Sequence, residues 1–418
     1  MKTWTIWIGA ASLVAVMSLP SLGQDWRDRA RGLFRGATNR FVAPRQATQR
    51  SGDPQPQNVA ANEIRIERHM TRASDGWKLV ATRYQVPGKL VAGRMPVILC
   101  HGFGYNGRFF DMREDASLAR YLAQAGFDVW AVDLRGSGLS SKWAPTAAGG
   151  ATALLDRVIP TGAEVPAQGF GSLDFKYANW TMDDHVDKDV PALIDLVKQK
   201  TGAPQVAWVG HSMGGNVMLA YLSKYGNNGS VGRLATVGSQ VTMPNGQLMI
   251  EFLIELFTRR QGQLFGNQLD AQDALDSVNS IFFNEANTDP IIQKALSTGG
   301  VAYDMPSINL IKQYRLFADQ GKLTSENRQV DYSSGLSKIQ IPTLVMAGSV
   351  DQVAPPRTQR ELLERISSND KTLVFLGRHR GMGAEYGHSD SLVGLQSSRE
   401  VYPLLSSWLA GQRVQADR

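Results

Sequence analysis

The chain has 418 residues, of which 43% are hydrophobic and 20% are charged, so it can bury the core of one large domain or of two ordinary ones. Its net charge of +6 does not indicate a nucleic-acid partner, because the charge is concentrated near the N-terminus. Residues 1–62 carry +5 of it and residues 63–418 only +1, so we expect the folded body to bind no nucleic acid.

The first 23 residues have the pattern of a secretory signal peptide. Lys2 provides a positive start, an apolar stretch runs from residue 6 to residue 19, and Ser21 and Gly23 are the small residues of a cleavage site. We therefore expect export to the periplasm or the medium, with cleavage after Gly23. An uncleaved membrane anchor is the alternative, although the stretch is shorter than the roughly 20 residues of a membrane span.

Residues 24–62 are rich in Arg, Gln, Pro, Gly and Asn, which is typical of a disordered basic linker. Within residues 24–42, several apolar side chains fall roughly on one helical face, which would suit peripheral contact with an anionic membrane. These are Trp26, Ala30, Leu33, Phe34 and Phe41. Gly32 and Gly36 weaken such a helix, so a solvated tether is the preferred interpretation.

From residue 63 onward, short apolar strands alternate with helical stretches, which predicts an α/β fold with a mostly parallel sheet and helices on both faces. The predicted strands are Trp77–Tyr84, Val97–Cys100, Asp128–Asp133, Val206–Val209, Leu234–Val237, Thr343–Ala347 and Thr372–Leu376. The predicted helices are Ala116–Ala125, Asp183–Lys200, Asn216–Lys224 and Arg360–Arg365. Residues 63–240 and 336–418 would form the two parts of the core. Residues 241–335 contain helical runs such as Leu248–Phe257 and Pro290–Leu296, so we expect a helical cap between them.

A candidate nucleophile lies where the strand Val206–Val209 runs into the helix Asn216–Lys224. The connecting sequence Gly210-His211-Ser212-Met213-Gly214 is G-x-S-x-G, and Gly215 follows it. On such a sharp strand-to-helix turn the serine hydroxyl is exposed, and the glycines remove side chains that would collide where strand and helix crowd together. The pattern predicts Ser212 as a catalytic nucleophile rather than as part of a structural turn.

A serine nucleophile needs a histidine base and an acid that orients the histidine, which in this arrangement follow in the order serine, acid, histidine. Asp351 follows the strand Thr343–Ala347 and is the predicted acid. Of the six histidines, only His379 and His388 lie beyond it. We favour His388, in a glycine-containing loop, because the arginines on both sides of His379 would disfavour its cationic form.

The tetrahedral intermediate also requires N–H groups directed at its oxyanion. The N–H of Met213 is one candidate, since it follows the nucleophile directly. The second is expected from the loop that follows the strand Val97–Cys100, with the sequence His101-Gly102-Phe103-Gly104, and we assign it to Phe103.

Several of these segments together resemble the α/β-hydrolase superfamily, and more narrowly its branch of acid lipases and polyhydroxyalkanoate-synthase-like esterases. They are His101-Gly102-Phe103-Gly104, Leu118-Ala119-Arg120-Tyr121-Leu122, Gly126-Phe127-Asp128-Val129-Trp130, Leu134-Arg135-Gly136, Asp189-Val190-Pro191-Ala192, Gly210–Gly215, Asp351 and Gly387-His388-Ser389-Asp390. The resemblance implies a carboxylic ester hydrolase, an esterase or lipase acting on a small-molecule or lipid ester without a cofactor. Acyl transfer and thioester hydrolysis by the same residues remain alternatives. The polyester synthases of that branch use cysteine as nucleophile, so the serine here favours hydrolysis.

Other classes of function have weaker support. Gly102, Gly104 and Gly107 form G-x-G-x-x-G after a strand, with Asp133 at the end of the next, which is the outline of a dinucleotide-binding site in an oxidoreductase. That alternative leaves the serine turn and its two partners unexplained. No metal-binding motif is recognisable in the sequence, so no metal is expected. A non-catalytic binding protein would not need all three members of the triad.

Overall fold

A computed structural model of the chain describes residues 63–142, 179–243, 281–297 and 300–417. The predicted signal peptide 1–23, the linker 24–62 and the helical run Leu248–Phe257 lie outside these residues, so export and membrane contact remain predictions. In the part of the chain that the structure describes, no helix is both long and apolar enough to cross a membrane.

The described residues form one sheet of eight strands in the order β1-β2-β4-β3-β5-β6-β7-β8. In chain order the strands are β1 Arg65–Arg72, β2 Lys78–Gln85, β3 Val97–Cys100, β4 Val129–Asp133, β5 Val206–His211, β6 Val231–Val237, β7 Thr343–Gly348 and β8 Lys371–Leu376. Strand β2 pairs antiparallel with β1 and β4, and every other neighbouring pair is parallel. The predicted mostly parallel sheet is confirmed.

Helices occupy both faces of this sheet. They are α1 Leu118–Gln124, a continuous α2 made of Met182–Asp184, the π-helical turn His185–Asp189 and Val190–Thr201, α3 Met213–Tyr225, α4 Pro290–Leu296, α5 Ile308–Gln320, α6 Pro356–Arg365, α7 Asp390–Val393, α8 Ser397–Glu400 and α9 Tyr402–Leu409. Strand β3 shows why both faces need cover, because all four of its residues are buried. Val97 and Leu99 pack in the apolar layer that includes α1 and α9, whereas Ile98 and Cys100 pack in the layer that includes α2, α3, α5 and α6. Such alternation is the expected consequence of the two-residue period of a strand.

The edge strand β1 was not predicted. It contains His69, which pairs with Ala81 of β2. The residues of β1 are exposed or half-buried throughout, so the strand has no apolar alternation that would reveal it. In the described parts of residues 241–335, helices α4 and α5 are present and no strand of the sheet is found.

Candidate active site

Ser212 connects β5 to α3 in a strained backbone conformation. Its φ of 50° and ψ of −118° place it where non-glycine residues are rarely found. Its N–H donates a hydrogen bond to the Val237 carbonyl oxygen at 2.9 Å, which attaches the turn to the end of β6. Strain of this kind costs about 1–3 kcal/mol and persists where the surrounding structure enforces it.

The glycines beside Ser212 are required by close backbone approach. A Cβ on Gly210 would lie 2.3 Å from the Gly215 nitrogen, and one on Gly214 would lie 2.1 Å from the Cys100 carbonyl oxygen at the end of β3. Both positions therefore exclude any side chain, as the sequence pattern predicted. The crowding also brings the serine turn against the end of β3, from which the loop 101–104 leaves.

His388 and Asp351 form a buried pair at the carboxyl edge of the sheet. The Oδ2 atom of Asp351 lies 2.9 Å from His388 Nδ1, and both residues are at most 3% exposed. The other carboxylate oxygen accepts N–H groups from Val353 and Ala354 at 2.9 and 2.7 Å. Because these N–H groups and the imidazole all need acceptors, an ionised Asp351 fits the site, and the proton of neutral His388 belongs on Nδ1.

That arrangement leaves Nε2 of His388 as the atom that can accept a proton. Nε2 is buried and has no hydrogen-bond partner among the residues that the structure describes. Ser212 and His388 line the same cavity, so the structure brings the predicted nucleophile, acid and base together. No hydrogen bond joins Ser212 to Nε2 in the described residues. In unliganded sites such contacts are commonly long.

The loop around His388 is held by its neighbours in sequence. The buried carboxylate of Asp390 accepts N–H groups from Gly387 and Asn284 and from the Asn287 side chain. Ser389 shares a 2.9 Å hydrogen bond with the Tyr105 hydroxyl. Burial raises the pKa of Asp390, although these donors oppose the shift. These hydrogen bonds hold in place the loop that carries His388.

Gly238 is a site residue that sequence analysis missed. It follows β6 with a φ of 63°, and an added Cβ would lie 3.0 Å from His388 Nδ1 and 3.1 Å from Asp351 Oδ2. A side chain here would press on the hydrogen bond between the two residues. The available signal was a glycine at the carboxyl end of a predicted parallel strand, where ligands and reacting groups collect.

The two residues with the predicted oxyanion donors both lie close to Ser212 along the chain or in space. Met213 is the first residue of α3, so its N–H has no acceptor within the helix. Phe103 lines the cavity, and a Cβ on the preceding Gly102 would lie only 3.2 Å from Ser212 Cβ. The loop that carries Phe103 is thus packed directly against Ser212.

None of the other five histidines is among the residues that line the cavity with Ser212. His101 and His211 are fully buried; His101 Nδ1 donates to the Gly102 carbonyl oxygen, and His211 Nε2 donates to that of His388. His185 is 1% exposed, and its Nδ1 lies 2.8 Å from Asp189 Oδ2. The Asp189 carboxylate is also buried, and it accepts a hydrogen bond from the buried guanidinium of Arg135. His379 is 47% exposed and lies near Asp417.

The cavity combines an apolar wall with a few polar groups. Its lining residues are Phe103, Tyr105, Ser212, Asn216, Gly238, Gln240, Met243, Phe282, Tyr314, Val353 and His388. The aromatic and aliphatic side chains suit an acyl or alkyl group, and the polar ones can orient it.

The alternative dinucleotide site has a different role in the structure. The Asp133 carboxylate is 6% exposed and accepts N–H groups from Gly107 at 2.7 Å and Leu139 at 2.9 Å. Residues Gly107–Phe110 form a single 3₁₀ turn, not the α-helix that would receive a pyrophosphate. The Asp133 side chain therefore connects the two loops that contain Gly107 and Leu139. Among the described residues, no cluster of three or more His, Cys, Asp or Glu side chains is arranged to hold a metal.

Comparison with known proteins places these features in a family. A family model described as the alpha/beta hydrolase fold matches residues 95–379. A poly(3-hydroxyalkanoate) polymerase subunit of Haloferax mediterranei is 21% identical over 346 residues, 76% of this chain and 58% of the relative. Lipase 3 of Drosophila melanogaster is 30% identical over 164 residues, 38% of this chain and 35% of the relative. In both cases, the match spans less than two thirds of the relative's length.

Solved structures share the architecture at low sequence identity. An esterase from Thermogutta terrifontis aligns with a TM-score of 0.52 at 18% identity, over 83% of this chain and 98% of that one. An esterase from Exiguobacterium antarcticum aligns with a TM-score of 0.51 at 22% identity, over 82% and 98% of the two chains. These similarities concern the fold. Together with the family match over most of the described residues, they establish that this chain belongs to the alpha/beta hydrolase fold family.

Proposed function

We propose that this protein hydrolyses carboxylic esters, with Ser212 as nucleophile, His388 as general base and Asp351 as the residue that orients His388. The observation that carries the proposal is the convergence of a strained serine and a buried His–Asp pair on one cavity. Lipase and esterase relatives support the same class of reaction.

The chemistry follows from the protonation states that the contacts favour. Ser212 Oγ attacks the ester carbonyl carbon while its proton moves to Nε2 of His388, and Asp351 stabilises the resulting imidazolium through Nδ1. The N–H groups of Met213 and Phe103 bind the developing oxyanion. His388 then returns the proton to the departing alcohol, and water attacks the acyl-enzyme by the same route in reverse.

Acyl transfer is a second candidate, favoured by the long match to a polymerase subunit. The two reactions share the acyl-enzyme and differ only in whether water or another nucleophile accepts the acyl group. Including an alcohol or a thiol acceptor in the assay and measuring the ratio of transfer product to free acid separates them.

The proposal is tested by Ser212→Ala. We expect hydrolysis of p-nitrophenyl esters of graded chain length to fall by about 10⁴-fold or more while the protein remains folded, because loss of a triad member removes the covalent route. A fluorophosphonate should label Ser212 in the wild type and give no labelling in the variant, as measured by mass spectrometry of the peptide. Ser407→Ala is the control, because Ser407 lies on α9 and is not among the residues that line the cavity.

Substantial turnover by purified Ser212→Ala would contradict the proposal. Labelling at a different residue would contradict it as well.

A further inference from the structure

The cavity wall contains a buried hydrogen-bond acceptor that the proposed mechanism does not use. Gln240, 3% exposed, lies after β6 and lines the cavity with Ser212 and His388. Its backbone N–H donates to Asn216 Oδ1 at 3.0 Å, and its Nε2 donates to the Val353 carbonyl oxygen at 2.7 Å. Its Oε1 atom is buried and has no partner among the residues that the structure describes.

The orientation of this amide is determined by its neighbour. The carbonyl oxygen of Val353 can only accept, so it requires the NH₂ end of Gln240, and reversing the amide would bring two acceptors together. A buried acceptor without a partner is costly, and in native structures such groups commonly mark a functional contact.

Polar neighbours hold this part of the wall in place. Asn216, which accepts from the Gln240 backbone, donates through Nδ2 to the Tyr314 hydroxyl at 3.3 Å. Asn216 and Tyr314 also line the cavity, so Gln240 belongs to a connected strip of polar residues in its wall. A connected strip of this kind positions an acceptor more rigidly than an isolated side chain does.

We propose that Gln240 Oε1 accepts a hydrogen bond from the substrate, so that the site prefers esters that carry a hydroxyl group close to the scissile bond. The inference rests on the proposed ester hydrolase function. The hydroxyl can belong to the acyl part or to the alcohol part of the ester, since both pass beside Ser212 during the reaction.

Binding without turnover tests the inference separately from catalysis. Dissociation constants are measured with Ser212→Ala for two matched sets of esters. The acyl set compares p-nitrophenyl 2-hydroxybutyrate and 3-hydroxybutyrate with p-nitrophenyl butyrate. The alcohol set compares glyceryl monobutyrate with propyl butyrate. We expect about tenfold tighter binding of a hydroxylated ester in one set, the effect of one buried hydrogen bond, and the set that shows it identifies the part bearing the hydroxyl.

Variants of two buried glutamines decide whether Gln240 is responsible. Adding Gln240→Leu or Gln240→Met should abolish the preference, because neither side chain provides a hydrogen-bond acceptor equivalent to the amide oxygen. Gln359→Leu is the matched control, because Gln359 is buried, also has an Oε1 atom without a partner among the described residues, and is not among the cavity-lining residues. Circular dichroism of each variant verifies folding.

The inference is overturned if neither set shows a preference, or if the preference persists in Gln240→Leu. These results would leave ester hydrolysis by the wild type unaffected. Conversely, absence of hydrolysis and of fluorophosphonate labelling in the wild type would remove the proposed function, while the binding ratios would still report on Gln240.

Discussion

At the scale of single residues, the geometry of the site depends on close contacts between its side chains and the neighbouring backbone. The imidazole of His388 is hydrogen-bonded to Asp351 and packs close to Gly238, where there is no room for a side chain. Ser212 is held at a positive φ by the strand and helix it joins. Each of these contacts fixes a reacting atom relative to the sheet, which is how a rigid scaffold reduces the entropy cost of the reaction.

The choice between the two candidate bases is testable by a matched pair of variants. We expect His388→Ala to lower kcat by about 10⁴-fold or more, because Nε2 of His388 is the proposed acceptor of the Ser212 proton. His379→Ala should leave kcat within about twofold, since His379 is half-exposed beside Asp417 at the C-terminal tail. Initial rates with a p-nitrophenyl ester provide the measurement. Reversal of the two effects would show that His379 is the base.

The site residues that could be predicted from the sequence are those with reactive functional groups. Residues that matter through their small size or the orientation of their side chain could not be predicted. Ser212, Asp351 and His388 have functional groups and an order along the chain that indicate a triad, and the structure brings them together. Gly238 has no functional group, and the importance of Gln240 depends on which of its amide atoms is left without a partner. Neither property is visible without the fold.

At the scale of elements, the loop that carries Phe103 is clamped by a segment between α4 and α5. The Asp304 backbone N–H donates to the Gly104 carbonyl oxygen at 2.9 Å. Its carboxylate accepts the Asn106 side-chain amide at 2.8 Å and the Gly138 N–H at 2.7 Å, and it also pairs with Lys142. A segment of the predicted cap thus positions a loop of the core.

Asp304→Ala removes the carboxylate contacts to Asn106, Gly138 and Lys142 and leaves the backbone hydrogen bond to Gly104. Loss of these side-chain contacts should affect catalysis more than binding. We expect Asp304→Ala to lower kcat by about tenfold to a hundredfold with a smaller change in KM, because misplacing the proposed oxyanion donor, the Phe103 N–H, would weaken a contact made mainly in the transition state. Asp304→Asn, which retains one acceptor, should recover part of the loss. Steady-state kinetics of a p-nitrophenyl ester separate the two constants.

Asp319→Ala is the control for this prediction, since Asp319 is 46% exposed on α5 and pairs only with Arg315 among the described contacts. If Asp304→Ala raised KM and left kcat unchanged, the segment would contribute to substrate binding and not to positioning the loop.

Strands could be predicted from the sequence where their burial requires a run of apolar residues. Strands β3 to β8 were identified to within a few residues, because they are apolar and bounded by turns. Strand β1 was missed, since an exposed antiparallel edge strand can be built from charged residues. The clamp of Asp304 on the Phe103 loop joins residues about 200 positions apart, and no local pattern encodes such a contact.

At the scale of the whole molecule, buried titratable groups have opposing effects on stability in mild acid. Burial lowers the pKa of His101 to about 4 and that of His211 well below 6.5, so both favour the unfolded state as pH falls below 6.5. Burial raises the pKa of Asp133 to about 6 and also raises that of Asp390, so these favour the folded state over part of the same range. The pH dependence of wild-type stability is therefore the sum of opposing contributions, and a comparison with a variant is needed to isolate the contribution of one group.

The contribution of His101 is isolated by comparing the wild type with His101→Gln. Neutral His101 donates through Nδ1 to Gly102 and accepts the Leu134 N–H through Nε2, so protonating Nε2 in the folded state would destroy the second contact.

Glutamine can provide one donor and one acceptor but does not titrate. The unfolded histidine gains a proton below pH 6.5 and the folded one only near pH 4, so the folded wild type loses stability on acidification through this window. We expect the free energy of unfolding, measured by urea titration from pH 7.5 to 4.5, to fall less steeply in the variant by about 1.4 kcal/mol per pH unit below pH 6.5. Parallel curves for the two proteins would mean that His101 has the same pKa folded and unfolded, contrary to its burial between β3 and β4.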